Sequence, residues 1–125
     1  MSKVVEVNAD TWEKEVQTED GPVLVDFWHH MCGWCNKLTP IYEQLPEKFG
    51  DRVKFVKVNI LQSSENRDLA VKLGVLGTPT MKLICERRVV GEIVGFRPLE
   101  RLVREIEELL KKRDECLQQS TPLNR

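Results

Sequence analysis

Residues 22–35 read Pro22-Val23-Leu24-Val25-Asp26-Phe27-Trp28-His29-His30-Met31-Cys32-Gly33-Trp34-Cys35, and they carry the strongest signal in the chain. The segment begins as an apolar, β-rich run with one carboxylate and ends in a Cys-x-x-Cys. Because residues 23–28 are almost continuously apolar, they predict a strand buried on both faces, at the centre of a largely parallel sheet. Helix-like residues 36–49 follow. The cysteine pair is therefore predicted at a helix start, where it can form a disulfide, chelate a metal or exchange electrons with a partner.

The segments on either side alternate between strand-like and helix-like patterns. Strands are predicted at residues 4–7, 23–28, 53–58, 80–85 and 89–94, and helices at 10–17, 36–49, 63–73 and from 98 to about 112. The turn Glu86-Arg87-Arg88 is so short that its two strands must form an antiparallel hairpin. The order βαβαβ followed by αββα predicts the α/β class, as a single domain whose mixed central β-sheet is flanked by helices on both faces.

Local chemistry predicts where several helices begin, bend and end. The run from Asp10 to Glu13 has the spacing of a capping box for the first helix. Either Ser63 or Ser64 can cap the third helix, and Gly74 stops it. Pro40 lies inside the second helical pattern. Because the apolar period continues past it, we expect a kink there rather than the end of the helix.

A chain of 125 residues is long enough for one domain with a hydrophobic core. We assign residues 1–112 to this domain and residues 113–125 to a helix end and a frayed or disordered tail, with the tail at residues 118–125. The net charge of −1 offers no basic surface for nucleic acid. No apolar run approaches the roughly 20 residues of a membrane helix, and residues 1–6 lack the apolar core of a secretory signal. We therefore expect a cytoplasmic monomer that binds neither nucleic acid nor membranes.

A set of residues spread over the chain accompanies the cysteine pair: Asp26 in the second strand, Cys32-Gly33-Trp34-Cys35, Lys37, Pro40, Lys57, Gly77-Thr78-Pro79-Thr80 and Gly95. Together these residues resemble the thioredoxin family, and the resemblance extends from about Val4 to Leu110. A Cys-x-x-Cys alone is a weak motif, but its combination with a strand carboxylate and a distant Gly-x-Pro-Thr is a strong one. The resemblance implies the thioredoxin fold and dithiol–disulfide exchange.

Two features depart from the family pattern, and both lie beside the reactive sulfur. Gly33-Trp34 stands between the cysteines where typical members have Gly-Pro. His29-His30-Met31 precedes the pair, where small, acidic and Trp residues are more usual in that order. These departures concern the redox potential and the choice of substrate, while the reaction class is unaffected.

Four residues are predicted to carry the chemistry. Cys32 is the candidate nucleophile, because the free N–H groups and dipole of a helix start favour a thiolate. Cys35, one helical turn on, is expected to be more buried and to act as the resolving thiol. The apolar neighbours of Asp26 favour a buried carboxyl of raised pKa over a surface carboxylate on an edge strand, and by resemblance Asp26 relays protons to or from Cys35. Lys57 either modulates Asp26 or is an ordinary lysine at a strand end.

A second group of residues is predicted to bind the substrate. By resemblance, Pro79 follows a cis peptide bond and faces the disulfide, the alternative being a trans proline at a strand start. The backbone beside Thr78 would then pair with an extended substrate segment. Trp34 is expected on the docking surface, Trp28 half in the core, and Trp12 in the core. The predicted substrate-binding residues are Trp28, Gly33, Trp34, Gly77, Thr78, Pro79 and Gly95.

His29 and His30 add a possible metal chemistry to the cysteine pair. Two nitrogens and two sulfurs suit tetrahedral zinc. Adjacent residues at a strand end point in opposite directions, however, so both histidines rarely reach one ion. We therefore predict no metal site. One histidine either stabilises the Cys32 thiolate when protonated or is simply solvated.

The predicted function is that of a thiol–disulfide oxidoreductase that reduces protein disulfides, without a bound cofactor, in electron transport and cell redox homeostasis. Its partners would be disulfide-containing protein substrates and an electron donor of the thioredoxin-reductase type. The alternatives are a disulfide oxidase or isomerase, a metal-binding or iron–sulfur-binding module, and an interaction protein without turnover. Cys85 is predicted to be an inert buried thiol, and Cys116 to be exposed.

Overall fold

The structure is a computed structural model that describes the backbone of residues 3–120 and the side chains of residues 3–114. Its strands are β1 (Val5–Glu6), β2 (Val23–Trp28), β3 (Lys54–Asn59), β4 (Thr80–Cys85) and β5 (Arg88–Val94). Its helices are α1 (Gly33–Tyr42), α2 (Leu45–Phe49), α3 (Ser64–Lys72) and α4 (Leu99–Ser120). Short helical turns lie at Ala9–Thr11, Glu13–Gln17 and Gly50–Arg52.

The strands form one five-stranded sheet in the order β1-β3-β2-β4-β5. Strand β2 lies at its centre, parallel to β3 on one side and antiparallel to β4 on the other. Strands β4 and β5 form the predicted antiparallel hairpin. The mixed sheet is therefore confirmed. The apolar sequence of β2 suggested a largely parallel environment, but one of its two neighbouring strands is antiparallel.

Each face of the sheet carries its own hydrophobic core, because β2 and β3 are apolar on both sides. One core joins the sheet to α1, α2 and α4, and it includes Leu24, Leu38, Phe55 and Leu102. The other joins the opposite face to α3 and the N-terminal turns, and it includes Trp12, Phe27, Val56 and Ala70. Helices on both faces and the core position of Trp12, which is 7% exposed, are confirmed.

The helix predicted over residues 36–49 is two helices, although Pro40 does not end the first of them, as predicted. Helix α1 ends at Tyr42, two residues beyond that proline, and α2 begins at Leu45. Pro40 lacks the N–H that would bond to the carbonyl of residue 36, and Pro46 lacks the N–H that would bond to the carbonyl of Tyr42. Two missing hydrogen bonds within seven residues separate the helices, although the apolar period continues across the gap.

Local hydrogen bonds determine where two other helical segments begin. The first helical turn begins at Ala9, with Asn8 as its N-cap, because the N–H of Asn8 donates to Thr11 Oγ1 at 3.1 Å. The capping box therefore starts two residues before Asp10. Helix α3 is capped by the Ser63 side chain, which accepts a 3.0 Å hydrogen bond from the N–H of Asn66.

Helix α4 continues to Ser120, so residues 118–120, predicted as part of the disordered tail, are helical. Residues 113–120 contain no Gly or Pro, and most of them are good helix formers. The remainder of the predicted tail, residues 121–125, lies outside the described residues. Within the described part of the chain, no helix combines the length and apolarity needed to cross a membrane.

Candidate active site

Cys32 and Cys35 lie at the start of α1 and are joined by a disulfide, with their Cα atoms 5.2 Å apart. Cys32 is the N-cap of the helix, and its Sγ accepts a 3.1 Å hydrogen bond from the N–H of Cys35. Cys35 is 1% exposed, whereas Cys32 is half-buried. The more accessible sulfur is therefore the one that receives a helix N-terminal N–H, which favours its thiolate form.

The loop before β4 faces this disulfide. The peptide bond between Thr78 and Pro79 is cis, as predicted, and the carbonyl oxygen of Thr78 lies 3.6 Å from Cys32 Sγ. Gly95 has a φ of 95° and its N–H donates to the Pro79 carbonyl at 2.8 Å. Thr80 Oγ1 donates to the Gly77 carbonyl at 2.6 Å. Hydrogen bonds from Gly95, just after β5, and from Thr80, the first residue of β4, thus hold the Thr78 backbone next to the reactive sulfur.

An apolar groove of about 330 Å³ opens beside the disulfide and is lined by Trp34, Thr78, Pro79, Gly95 and Phe96. The indole of Trp34 is 57% exposed and its ring centroid lies 5.5 Å from that of Phe96. Of the other predicted binding residues, Gly33 and Gly77 are exposed in the two flanking segments, and Trp28 is half-buried at the end of β2.

Phe96 belongs to this groove, and sequence reasoning missed it. It directly follows Gly95, which was singled out, but its position just beyond a strand end gave no indication that its ring would reach Trp34. The one signal in the sequence that could have found it is an aromatic residue directly after Gly95. The Lys37 ammonium lies 4.8 Å from the Trp34 ring centroid on the helix side.

Asp26 lies in the middle of β2 and is 4% exposed, as its apolar neighbours predict. Burial raises the pKa of its carboxyl to about 7, and the nearby Lys57 ammonium partly opposes this rise. Among the described residues, no hydrogen-bond donor contacts its Oδ1. A carboxyl that titrates near neutral pH can both accept and return a proton.

Lys57 pairs with Asp26 across β2 and β3. Its ammonium lies 5.2 Å from the centroid of the Trp28 ring and 4.0 Å from Glu43 Oε2. The side chains of Lys57 and Glu43 are 24% and 31% exposed. The structure therefore brings Lys57 to Asp26, and it adds Glu43, which sequence reasoning did not identify.

The two histidines differ in their surroundings. His29 is half-buried, its carbonyl accepts a hydrogen bond from the Cys32 N–H at 3.2 Å, and its Nδ1 has no partner among the described residues. His30 is exposed, and its carbonyl accepts from the Asn36 side chain. Within the described residues, no group of three or more His, Cys, Asp or Glu side chains is placed to hold a metal ion. A role for either histidine in stabilising the Cys32 thiolate stays a prediction.

The other two cysteines lie away from the disulfide in the sequence. Cys85, at the end of β4, is 5% exposed and 3.6 Å from a guanidinium nitrogen of Arg113. Its predicted burial is confirmed. The side chain of Cys116 lies outside the described residues, so its predicted exposure stays a prediction.

The two sulfurs of the disulfide are unequal in access and in electrostatic support. Cys32 Sγ is the more accessible sulfur, and it is the one that accepts the N–H at the helix start. This arrangement suits exchange between a dithiol and a partner's disulfide, in which a thiolate is the attacking species. Fold and site together define the class of thiol–disulfide oxidoreductases.

Comparison with known proteins leads to the same class. The family model described as Thioredoxin matches residues 3–108. The thioredoxin of Bacillus subtilis is 37% identical over 106 residues, which cover 85% of this chain and 95% of that protein. The F-type chloroplastic thioredoxin of Spinacia oleracea is 41% identical over 98 residues, covering 78% of this chain and 50% of the relative.

A solved structure matches as well. The crystal structure of thioredoxin f from spinach chloroplast, in its long form, superimposes with a TM-score of 0.74 at 38% identity, covering 89% of this chain and 87% of that one. The chain belongs to the thioredoxin family. It has the thioredoxin fold, and it is a thiol–disulfide oxidoreductase that acts as a protein-disulfide reductase.

Proposed function

We propose that Cys32 is the nucleophile and Cys35 the resolving thiol in the reduction of protein disulfides. The Cys32 thiolate attacks one sulfur of the substrate disulfide, that bond breaks, and the second substrate sulfur leaves as a thiolate that takes up a proton. Cys35 then loses its proton and attacks the Cys32 sulfur of the mixed disulfide. The substrate leaves with two thiols, and its two electrons come from the Cys32/Cys35 dithiol, which is oxidised to the Cys32–Cys35 disulfide. The difference in exposure between the two sulfurs carries this assignment.

We assign the proton transfer in the second step to Asp26. Cys35 is almost fully buried, so its proton needs an acceptor inside the protein. The Asp26 pKa of about 7 suits this task, because a base works best when its pKa is near the working pH. In this scheme Lys57 moderates the basicity of Asp26 through its charge.

We assign substrate binding to the apolar groove and to the Thr78 backbone. The Thr78 carbonyl lies beside Cys32, where an extended substrate segment can pair with it as an added strand. Trp34 and Phe96 supply the apolar contact surface. Gly33, Gly77 and Gly95 leave room for a backbone to approach, and Trp28 supports the site from the end of β2.

Turnover in the reducing direction requires an external source of electrons for the Cys32–Cys35 disulfide. We propose a reductase of the thioredoxin-reductase type, acting on a monomer in the cytoplasm, where thiol systems keep dithiols reduced. The protein would there serve electron transport and redox homeostasis. The Gly33-Trp34 dipeptide lacks the family's usual proline, and this departure concerns the redox potential of the cysteine pair. A glutathione redox titration measures that potential and so distinguishes a reductase from an oxidase or isomerase.

Single cysteine variants test the mechanism. With a protein disulfide substrate such as insulin, Cys35→Ser should accumulate a covalent mixed disulfide, because the nucleophile remains and the resolving thiol is gone. Cys32→Ser should form none, and both variants should lose turnover. Trapped complexes are counted by non-reducing electrophoresis and turnover by insulin precipitation. The Cys85→Ser variant is the matched control and should retain wild-type turnover. Full reductase activity in both active-site variants would refute the mechanism.

A further inference from the structure

Glu43 occupies a position that its own helix does not favour. It is the C-cap of α1, where the helix dipole presents partial negative charge, and the last turn of α1 carries no basic residue. A carboxylate there gains nothing from the helix. The ion-pair partner of Glu43 comes from another element.

That partner is Lys57, which reaches up from β3. Its Nζ lies 4.0 Å from Glu43 Oε2. The Lys57 side chain is 24% exposed and the Glu43 side chain is 31% exposed. The same ammonium faces the Trp28 ring, and Lys57 lies directly opposite Asp26 in the register of β2 and β3. Lys57 therefore neighbours two carboxyl groups, the buried one of Asp26 on β2 and the partly exposed one of Glu43 at the end of α1.

We propose that Glu43 is a positioning residue that holds the Lys57 ammonium on the solvent side of Asp26 and so limits how strongly Lys57 stabilises the Asp26 carboxylate. The proposal rests on the function proposed above only for its catalytic consequence, because the electrostatic coupling itself exists in the free protein. Its chemical effect is to keep Asp26 a stronger base than it would be beside an unshared lysine.

The other groups around Asp26 do not supply this effect. Tyr42 on α1 stays neutral, because burial raises its pKa well above the ordinary value and its hydroxyl lies 2.9 Å from the carbonyls of Leu24 and Val56. Cys35 on α1 is held in the disulfide. From β4, Asp26 is opposed by the apolar Met81. Packing from α4 on this face is apolar, through residues such as Leu102 and Ile106.

Removing the charge of Glu43 should lower the pKa of Asp26 in two ways. A negative charge that repels the Asp26 carboxylate disappears, and Lys57 loses its competing partner. Both changes favour ionised Asp26. In Glu43→Gln the pKa of Asp26 should therefore fall by roughly 0.5 to 1, a three- to tenfold change in its ionisation constant.

The Asp26 pKa can be measured directly by carbon-13 NMR titration of the Asp26 carboxyl in the oxidised protein. Glu43→Asp keeps the charge and should retain most of the wild-type pKa. Glu47→Gln removes one exposed carboxylate from the neighbouring helix α2 and is the matched control, which should leave the pKa unchanged. An Asp26 pKa that is equal in wild type and Glu43→Gln would overturn the proposal.

The Lys57→Met background tests whether the effect passes through Lys57. There Glu43→Gln should lower the Asp26 pKa by less than half as much as in the wild-type background, and an equal decrease in both would refute positioning through Lys57. The rate of mixed-disulfide resolution against pH supplies an independent readout. If the Asp26 pKa moves in Glu43→Gln while this profile stays still, the coupling stands and the proposed role of Asp26 in resolution fails.

Discussion

Asp26 shows how burial alone changes the chemistry of a single side chain. Its carboxyl lies between apolar neighbours on the buried central strand, and desolvation outweighs the attraction of the Lys57 ammonium. A group that is ionised at neutral pH in a free peptide therefore titrates near pH 7 in the folded protein. The same desolvation that makes it useful as a base must reduce the stability of the fold.

The pKa values of the Asp26 carboxyl in the folded and unfolded states determine how its effect on stability changes with pH. The folded state holds the proton up to a pKa of about 7, against an ordinary value of 3.8, so the contribution of Asp26 to stability is fully present below pH 3.8 and is lost as the pH rises towards 7. The difference corresponds to about 4 kcal/mol. Asp26→Asn should therefore become more stable relative to wild type by up to that amount between pH 3.5 and 7.5.

Urea unfolding of the two proteins over this pH range measures the difference. The exposed Asp68 on α3 provides the control, and the stability gap between wild type and Asp68→Asn should change far less over this pH range than the gap for the buried Asp26. A stability gap between wild type and Asp26→Asn that does not change with pH would contradict a raised Asp26 pKa.

The helices on the two sides of the sheet place the active-site segments. Helix α1 carries the disulfide at its start and ends at Tyr42, because Pro40 and Pro46 each lack the N–H for one backbone hydrogen bond. Helix α3 leads through Gly74, with a φ of 79°, into the loop that holds Thr78 and Pro79. The ends of these helices, more than their lengths, determine where the reactive groups lie.

The cap of α3 distinguishes two neighbouring serines. Ser63→Ala removes the hydrogen bond to the Asn66 N–H and should lower the free energy of unfolding by about 1 kcal/mol. Ser64→Ala changes an exposed residue just inside the helix, whose hydroxyl contacts only its neighbour Glu65, and should stay within about 0.5 kcal/mol of wild type. Chemical denaturation measures both. Equal losses in the two variants would mean that Ser63 does not cap the helix.

At the scale of the whole molecule, the sheet order brings together parts that are far apart in sequence. Strands β2 and β4 are neighbours, so the cysteine pair after β2 meets the cis-proline loop before β4. Strand β5 returns antiparallel to β4 and delivers Gly95 and Phe96 to the same edge. The groove is therefore formed by several segments that the strand order brings together.

Phe96→Ala should weaken docking of protein substrates while leaving the chemistry intact. Losing the aromatic pair with Trp34 should raise KM for a protein disulfide by roughly three- to tenfold. The rate with a small aliphatic disulfide, which needs no groove, should change less than about twofold. Steady-state kinetics with the two substrates give this comparison.

The control for this measurement is Val89→Ala. Val89 is an exposed valine on β5 that pairs with Ile84, whereas Val94 at the groove end pairs with Thr80. It lies roughly 16 Å along the strand from the groove, given the rise per residue of a strand. Equal KM changes in Phe96→Ala and Val89→Ala would show that the groove has no special part in docking.

Local sequence alone determined the central strand at residues 23–28, the strand at 80–85, the cysteine pair at a helix start and the burial of Asp26. Each follows from neighbours within a few positions: apolar runs on both sides, turn residues, and the periodicity of the next helix. The cis bond before Pro79 and the roles of the active-site residues came from resemblance, and those roles stay predictions.

The tertiary structure decided what depends on distant partners. The placement of Phe96 against Trp34 and the sharing of Lys57 between Asp26 and Glu43 were not visible in the sequence. In each, the deciding contact joins residues on different elements, and sequence periodicity records only which face of its own element a residue occupies. Which side chain lies opposite is set by the order and register of the strands.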